Sequence, residues 1–482
     1  RLYAGWNTCR NNNDQNIWKM KRIAIISVFL ALLVSCAETK VQDNSISVIP
    51  EPMYCRADEG VFVIDKDTKI VVDDLSEEMQ RIAGFLNEKL SKAAGFELEI
   101  VKDGPMPREN FIAFMNAGLQ SESYEINVAP QHILVDYGDG AGAFYALQTL
   151  FQLLPVEIFS QELQKRVDWT VPCCNIDDKP RFKYRGMHLD VCLHYFDLEF
   201  LKKYIDIMAA HKVNRFHWHL TEDQGWRLEI KKYPLLTEKG QWRKETVVGS
   251  LSSGVYDGIP HGGYYTQEQV KELVKYAADR YVTIIPEIEL PGHALAAIAC
   301  YPELSCGLED HYETATRWGI FKQVYCPKES TFEFLEDVFD EVFELFPSEL
   351  IHIGGDECPK ASWKACPDCQ ALIRKLGLKD EYELQSYFVT RMEKYINSKG
   401  RQIIGWDEIL QGGLAPNAKV MSWLGEEGGI KAAQQHHEVV MSPHYKYYLD
   451  YWQADPYSEP LAMSGPTTLR TMYDYEPVPE VL

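Results

Sequence analysis

The sequence has few basic residues for its size. Its 482 residues include 49 Lys and Arg against 71 Asp and Glu, which gives a formal net charge of -22 at pH 7. Nucleic acids and anionic membranes bind basic surfaces. The composition therefore argues against nucleic acid as a partner, and against direct membrane binding by the body of the protein.

The sequence also lacks the cysteine spacing of a disulfide-rich protein. The 12 cysteines are not spaced as in a small disulfide scaffold, and two of them, Cys9 and Cys36, lie in the N-terminal segment. Cys358, Cys366 and Cys369 would suit a zinc ion, but no fourth ligand is evident nearby in the sequence. A local disulfide or a set of packed thiols is the favoured interpretation of this segment.

The overall amino-acid composition is that of a globular protein. Hydrophobic residues make up 46% of the chain and charged residues 25%, a balance unlike that of membrane or disordered proteins. The length predicts two to four folding units, one of which could be a large barrel.

The N-terminus does not begin like a natural reading frame. The first residue is Arg1, and residues 1–19 are polar and lack periodicity. We expect Met20 to be the true start and residues 1–19 to be a non-native upstream segment.

Residues 20–36 have the features of a secretory signal. A basic pair precedes the apolar run 23–34, which is too short to span a bilayer, and "LVSC" ends at Cys36. The pattern resembles a bacterial lipoprotein signal peptide with its lipobox. This resemblance implies an exported protein lipidated at Cys36 and anchored to a bacterial envelope membrane, on the periplasmic side or the cell surface. A buried hydrophobic helix is the structural alternative.

The remainder changes character near residue 180. Residues 45–175 combine short alternating runs with two helical segments, which predicts a small α+β domain. In residues 180–482, apolar runs alternate with amphipathic segments, as expected for parallel strands with crossover helices.

Seven strand candidates are found in the second region: 184–191, 214–220, 282–290, 350–355, 401–409, 419–424 and 437–443. We predict an α/β fold of the (β/α)8 TIM barrel type, incomplete because the chain is truncated before an eighth strand. A doubly wound open sheet is the alternative. It is disfavoured because no phosphate-binding glycine loop follows the first strand.

Acidic residues follow several of these strands: Glu222, Asp223, Glu289, Asp356, Glu357, Asp407 and Glu408. Aromatic residues accompany them: Trp226, Trp406, Trp423, Tyr447, Tyr448, Tyr451 and Trp452. Sugar hydroxyls need charged acceptors, and the apolar faces of sugar rings stack on aromatic side chains. Glycoside hydrolysis is therefore the leading reaction class.

The adjacent pair Asp356 and Glu357 needs explanation, because neighbouring strand residues point to opposite faces. Both can face one pocket only where the backbone turns, which Gly354 and Gly355 permit. Most glycosidases place two carboxyl groups on opposite sides of the scissile bond. The adjacent pair suggests that one acid acts at the leaving oxygen while the other contacts a different part of the sugar.

Seven motifs occur in order: "RGMHLDV", "FHWHLTEDQGW", "PEIELPGH", "HIGGDE", "IIGWDEIL", "VMSW" and "YLD". Together they resemble the family 20 glycoside hydrolases, the β-N-acetylhexosaminidases. The resemblance implies exo-acting hydrolysis of terminal β-linked N-acetylglucosamine or N-acetylgalactosamine from an oligosaccharide or glycoconjugate. It implies a retaining mechanism without cofactor or metal, in which the substrate's acetamido oxygen is the nucleophile.

The same resemblance implies roles for three residues of the reaction. Glu357 would be the general acid and then the base, and Asp356 would orient the acetamide. Tyr448 would donate to the acetamide oxygen.

Further residues would bind the sugar. Trp406 and Trp423 would enclose the N-acetyl group, and Asp450 would hold hydroxyls. His293, paired with Glu222, would tune the proton affinity of the acid.

Two positions depart from the family pattern. Leu193 stands where the family commonly has an arginine that grips sugar hydroxyls, and Glu222 stands where many members have aspartate. The lost arginine keeps open a non-catalytic, lectin-like barrel that binds amino sugars. A third alternative is a metal-dependent amidohydrolase, because His217, His219 and His352 could be metal ligands.

Overall fold

The computed structural model describes residues 46–102, 107–249, 253–460, 462–463 and 465–482. The upstream segment 1–19, the predicted signal 20–36 and its lipobox Cys36 lie outside these residues. Within the described part of the chain, no helix is both long enough and apolar enough to cross a membrane.

The first region forms one mixed seven-stranded sheet, covered by helices. Its strands are β1 (Tyr54–Val63), β2 (Lys69–Val72), β3 (Glu99–Lys102), β4 (Phe111–Asn116), β5 (Tyr124–Ala129), β6 (His132–Tyr137) and β7 (Thr170–Asp178). The strand order is β1-β7-β5-β6-β4-β2-β3. Strands β5 and β7 pair antiparallel with each other, while β2, β3, β4 and β6 pair in parallel.

Two helices, α1 (Glu77–Ala93) and α2 (Gly140–Leu153), accompany this sheet, followed by a 3-10 turn at Val156–Phe159. The Ser76 side chain accepts from the Met79 amide and so caps the start of α1. Helix α1 buries one apolar face, whereas α2 is buried on most sides. The predicted α+β fold of this region is confirmed.

The second region contains one sheet of seven parallel strands. These are β8 (Gly186–Asp190), β9 (Arg215–His219), β12 (Thr283–Glu287), β13 (Leu350–His352), β14 (Gln402–Trp406), β15 (Lys419–Ser422) and β16 (Val439–Met441). Between β9 and β12 lies a small hairpin of β10 (Thr221–Glu222) and β11 (Gly225–Trp226).

The seven strands neighbour one another in chain order, and every pairing among them is parallel. A doubly wound sheet would instead reverse its strand order at a switch point. The barrel-type prediction and all seven strand candidates are therefore confirmed. In the described sheet, β8 and β16 are the edge strands.

Helices follow most of these strands: α3 (Leu198–Ala210), α4 (Leu235–Glu238), α5 (Gln267–Ala278), α6 (Leu295–Cys300), α7 (Glu329–Leu345), α8 (Ala361–Ala365), α9 (Pro367–Leu376), α10 (Glu381–Ser398), α11 (Glu427–Gln434), α12 (His444–Tyr447) and α13 (Leu469–Tyr473). Two 3-10 turns lie at Pro302–Leu304 and Asp407–Leu410. A capping box at Thr266 begins α5, and Gly377, with φ of 67°, ends α9.

The interior of the sheet holds a buried charged network. Glu287 lies 2.9 Å from His217 Nε2, 2.5 Å from His219 Nδ1 and 2.7 Å from His352 Nδ1. Burial alone would raise the pKa of Glu287, but the imidazoles, His219 foremost, hold it well below the ordinary value. This polar layer lies inside the sheet, next to the strand ends that carry the acidic residues. Most barrels have branched aliphatic side chains at such interior positions.

Polar links join the α+β region to the barrel, among them one that is half-buried and one that is largely buried. Glu122 accepts from Arg185 at 3.1 Å and from the Asn214 amide at 2.9 Å. In the second link, Lys212 Nζ donates to Asp178 at 2.8 Å, and both side chains are largely buried. A buried charge that has lost its partner is expensive, so these links join the two regions specifically.

Asp178→Ala should lower the free energy of unfolding by about 3 kcal/mol, because it leaves the Lys212 ammonium buried without its counter-ion. Asp177→Ala, one residue earlier with an exposed side chain, is the matched control and should change stability little. Chemical denaturation of both variants measures the difference. Equal stability of the two would show that the Lys212–Asp178 pair does not stabilise the interface.

Candidate active site

The turn after β13 brings two neighbouring carboxylates to one side. Gly354 and Gly355 have φ of 63° and 94°, values that L side chains rarely adopt. A Cβ on Gly354 would collide with the Glu289 carboxylate, and one on Gly355 would collide with Ile409. The glycines therefore provide both the left-handed turn and the space that the pair Asp356 and Glu357 requires.

His293 is the centre of the acidic cluster. Its Nδ1 atom lies 2.7 Å from Glu222 and 3.1 Å from Asp223, and its Nε2 atom lies 3.7 Å from both Asp356 and Glu357. The imidazole is only 9% exposed. One ring thus contacts carboxylates from the segment after β9 on one side and from the turn after β13 on the other.

Burial and this shared imidazole separate the pKa values of the cluster. Burial raises the pKa of Asp356 to about 6 and also raises that of Glu357, while His293 opposes both shifts. Glu222 is buried too, yet His293 and His219 lower its pKa to about 2. Burial opposes protonation of His293, but Glu222 and then Asp356 raise its pKa well above the ordinary value. The cluster therefore combines a lasting positive charge with carboxyl groups that are protonated at different pH values.

Asp223 is a partner of His293 to which the sequence analysis assigned no role. Burial, followed by the charge of Glu222, raises its pKa to about 7. It also accepts from the Leu295 amide at 2.9 Å and so holds the first residue of α6. Its position directly after Glu222 was the signal for this role, but sequence alone does not show that both acids contact the ring.

Glu408 is a second acid without a role in the sequence analysis. It accepts from the Glu357 amide at 3.3 Å and from Trp423 Nε1 at 2.9 Å. Burial, and then the charge of Asp356, raises its pKa to about 7. Neighbouring Asp407 accepts from the Trp423 amide at 3.1 Å. The end of β14 therefore positions both Glu357 and Trp423.

The aromatic candidates form two groups. Trp406 is the buried floor of the site, and the paired rings of Trp423 and Tyr448 are its wall. Trp406 is buried with Ile404 and Met421, and Trp423 packs against this cluster. The Trp423 and Tyr448 rings are nearly parallel, with centroids 6.3 Å apart. Burial, and then the charge of Asp356, raises the pKa of Tyr448 well above the ordinary value, so the phenol stays protonated as a donor.

Tyr451 extends this wall, with its ring centroid 6.2 Å from that of Tyr448, and Asp450 and Trp452 lie in the same segment. Asp450 follows Tyr448 by two residues and is exposed. The Tyr451 hydroxyl contacts His444 Nδ1 at 2.6 Å, and Trp452 donates to the Pro460 carbonyl at 3.1 Å. The segment after α12 therefore carries several groups that can contact a sugar.

The prediction that Trp226 stacks on a sugar is wrong. Its side chain is 1% exposed, and its Nε1 atom donates to the Leu228 carbonyl. The hairpin of β10 and β11 turns the chain inward directly after Glu222, so this aromatic side chain joins the core.

Leu193 has a half-buried aliphatic side chain. Its backbone amide donates to the Asp190 carboxylate at 3.0 Å. Two guanidinium groups lie beside this loop, but Arg227 donates to the Cys192 carbonyl and Arg243 to the Leu193 carbonyl. Both cations therefore bind the loop backbone.

The histidines of the amidohydrolase alternative contact Glu287 within the strands, whereas the acidic cluster follows the strand ends. His188, which the sequence analysis did not single out, joins them at 3.6 Å from Glu287. This donor set could chemically hold a metal ion. The geometry is therefore compatible with both reaction classes.

Comparisons with known proteins decide the family. The family model "Glycosyl hydrolase family 20, catalytic domain" matches residues 182–482, and "Glycosyl hydrolase family 20, domain 2" matches residues 45–179. A β-hexosaminidase of Porphyromonas gingivalis is 46% identical over 96% of this chain and 59% of its own length. A β-hexosaminidase of Vibrio furnissii is 34% identical over 91% of this chain and 69% of its own length.

Solved structures agree. The family 20 exo-β-N-acetylglucosaminidase of Vibrio harveyi, solved in complex with N-acetylglucosamine, matches 90% of this chain and 66% of its own at 33% identity, with a TM-score of 0.77. The family 20 β-N-acetylhexosaminidase of Streptomyces coelicolor A3(2) matches at 29% identity, with a TM-score of 0.76, over 89% of this chain and 81% of its own.

The chain spans about three fifths of the Porphyromonas gingivalis relative, so the match covers part of that longer protein. Within this chain, the two family models together cover nearly all residues from 45 onward. By its matched regions, its fold and its motifs, the chain belongs to glycosyl hydrolase family 20.

Proposed function

We propose that the protein is an exo-acting glycosidase that removes terminal β-linked N-acetylglucosamine or N-acetylgalactosamine from glycans. The observation that carries this proposal is the placement of Asp356 and Glu357 side by side at His293, next to the wall of Trp423 and Tyr448. The names of the relatives support it. An oligosaccharide or glycoconjugate is the substrate class, and family membership favours this reaction over the amidohydrolase alternative.

The mechanism is substrate-assisted and retains the configuration of the anomeric carbon. The substrate's acetamido carbonyl oxygen attacks the anomeric carbon, while Glu357 donates its proton to the departing glycosidic oxygen. This closes an oxazolinium ring, which water then opens from the other face as Glu357 takes back a proton. The carbonyl oxygen leaves the anomeric carbon as the water oxygen bonds to it, so the acetamide is regenerated.

Asp356 supports the nucleophile by accepting from the acetamide N–H and stabilising the positive charge that develops on the ring. It must be ionised to do so, whereas Glu357 must begin protonated. Tyr448 donates to the acetamide oxygen, and Trp406 with Trp423 encloses the N-acetyl group. Asp450 binds hydroxyls of the sugar, and Glu222 with its partner His293 sets the charge beside both acids.

The lectin-like alternative differs in turnover, not in ligand. A barrel that only binds has no need for a carboxyl group whose pKa is raised beside a buried imidazolium, as at Glu357. Hydrolysis of a chromogenic N-acetylglucosaminide, set beside the matching glucoside, distinguishes the two. An enzyme of the proposed kind cleaves only the first, because the glucoside has no internal nucleophile.

The proposed location is a bacterial envelope membrane, with the protein held there by lipid on Cys36. The support is the sequence of residues 20–36 alone. Metabolic labelling with a radioactive fatty acid in a bacterial host should label the protein, and Cys36→Ala should abolish the label. An unlabelled protein would contradict the anchor without affecting the proposed reaction.

Glu357→Gln should abolish hydrolysis of substrates with poor leaving groups but spare much of the activity on activated aryl glycosides, which need little protonation. Asp356→Asn should impair both kinds of substrate. Steady-state kinetics with a series of aryl leaving groups measures the difference.

Glu349→Gln, at an exposed site directly before β13 and thus at the other end of the strand from the acids, is the matched control and should retain wild-type rates. Near-normal rates for Asp356→Asn on N-acetyl substrates would refute the substrate-assisted mechanism.

His293→Gln should move the pH profile of kcat/KM upward. His293 holds down the pKa values of Asp356 and Glu357, so the loss of its positive charge raises both pKa values. The acid limb, where Asp356 loses its proton, and the alkaline limb, where Glu357 does, both shift to higher pH. His311→Gln, at an exposed histidine, should leave the profile unchanged. Unmoved limbs in His293→Gln would show that His293 does not set these pKa values.

Leu193→Arg should raise kcat/KM by about tenfold or more, because one charge-assisted hydrogen bond to a sugar hydroxyl contributes about 1.5 to 3 kcal/mol at a desolvated site. Leu193→Lys is the control for charge alone, since lysine cannot bind two hydroxyls through a planar fork. No gain from arginine would mean that the sugar hydroxyls are already held by other groups.

A further inference from the structure

Four cysteines from two distant segments of the chain, which follow β12 and β13, lie close together. Cys306 and Cys326 lie between the 3-10 turn Pro302–Leu304 and α7, while Cys366 precedes α9 and Cys369 lies in its first turn. The four sulfur atoms all lie within 4.8 Å of one another. The fourth ligand that the sequence analysis missed thus comes from an earlier segment of the chain, and Cys358 is not part of the group.

The spacing of the sulfur atoms fits tetrahedral coordination. Cys369 Sγ lies 3.6 Å from Cys326 Sγ and 3.8 Å from Cys306 Sγ. Four thiolates at about 2.3 Å from a central zinc ion have sulfur atoms about 3.8 Å apart. A disulfide instead requires its two sulfur atoms to be about 2.05 Å apart. One cysteine at similar distances from two others suits a shared ion better than a pairwise bond.

The surroundings suit a soft, closed metal site. Cys326, Cys366 and Cys369 are buried in an apolar cluster with Trp363 and Ile373. Four thiolates leave no open position, which is the pattern of structural zinc sites, and thiolates select zinc over magnesium or calcium. Cys366 and Cys369 also lie at the start of the ten-residue helix α9, where the helix dipole stabilises thiolates.

We propose that Cys306, Cys326, Cys366 and Cys369 bind one structural Zn²⁺ ion, which fixes the loop after β12 to the segment after β13. The four thiols release their protons on binding, and no electron transfer is involved.

The site lies where it can position the acidic cluster. Trp363 Nε1 donates to the Tyr325 carbonyl at 3.0 Å, and the Tyr325 amide donates to the Pro291 carbonyl at 2.9 Å. Pro291 is two residues before His293, and Cys366 is nine residues after Glu357. The zinc ion would therefore hold together the two segments that supply the imidazole and the general acid of the proposed reaction. It takes no part in the chemistry.

Elemental analysis of the full chain, purified from zinc-supplemented cells without chelators, should find one zinc per chain. Cys369→Ser should lose it. Cys174→Ser, at a buried free cysteine in β7, is the matched control and should retain one zinc per chain. Cobalt exchanged into the wild type should give the intense ligand-field bands of a tetrahedral thiolate site.

Cys306→His distinguishes a ligand from a packed thiol even if Cys369→Ser fails to fold. Cys306 is the only half-buried member of the four, and histidine can replace a cysteine as a zinc ligand. Cys306→His should retain zinc, whereas Cys306→Ser should bind it more weakly and lose it first to a competing chelator. Wild-type protein without zinc would overturn the proposal, and resistance of these four cysteines to alkylation until they are reduced would overturn it in favour of disulfides. These readouts do not depend on glycosidase activity.

Discussion

The contact of one buried imidazole with four carboxylates organises the end of the barrel. His293 lies within 3.7 Å of acids from two separate segments. Without a positive charge between them, these carboxylates would repel one another in a desolvated space. The ring therefore permits the acids to crowd together, and its charge sets their different pKa values.

A second charged layer lies below the first. Glu287 inside the sheet contacts His217, His219 and His352 and thus places a carboxylate where barrels commonly pack aliphatic residues. His219 also lies 3.4 Å from Glu222. The buried network and the acidic cluster are therefore continuous. A change of charge or of packing in one of them affects the residues of the other.

Close approach of loops completes the arrangement. A Cβ on Gly292 would lie 2.9 Å from the Asp356 carbonyl, so glycine is needed where the loop of His293 passes the turn of Glu357. Glu408 then holds the Glu357 amide from the next strand. The proposed zinc site would add a third link between the same segments. His293 and Glu357 thus each depend on a neighbour from another strand end.

The sequence alone determined the fold type, the seven strands and the acids at their ends, because hydrophobic periodicity and local turn residues are encoded within short segments. It also pointed to the pair Asp356 and Glu357, since two glycines before two acids permit the turn that brings both carboxylates to one side. Long-range pairing was decided only by the tertiary structure. Sequence order did not show that Trp226 turns into the core, that Glu408 supports Glu357, or that Cys306 and Cys326 meet Cys366 and Cys369. Such contacts depend on how strands far apart in the chain align their ends, and no local pattern records that alignment.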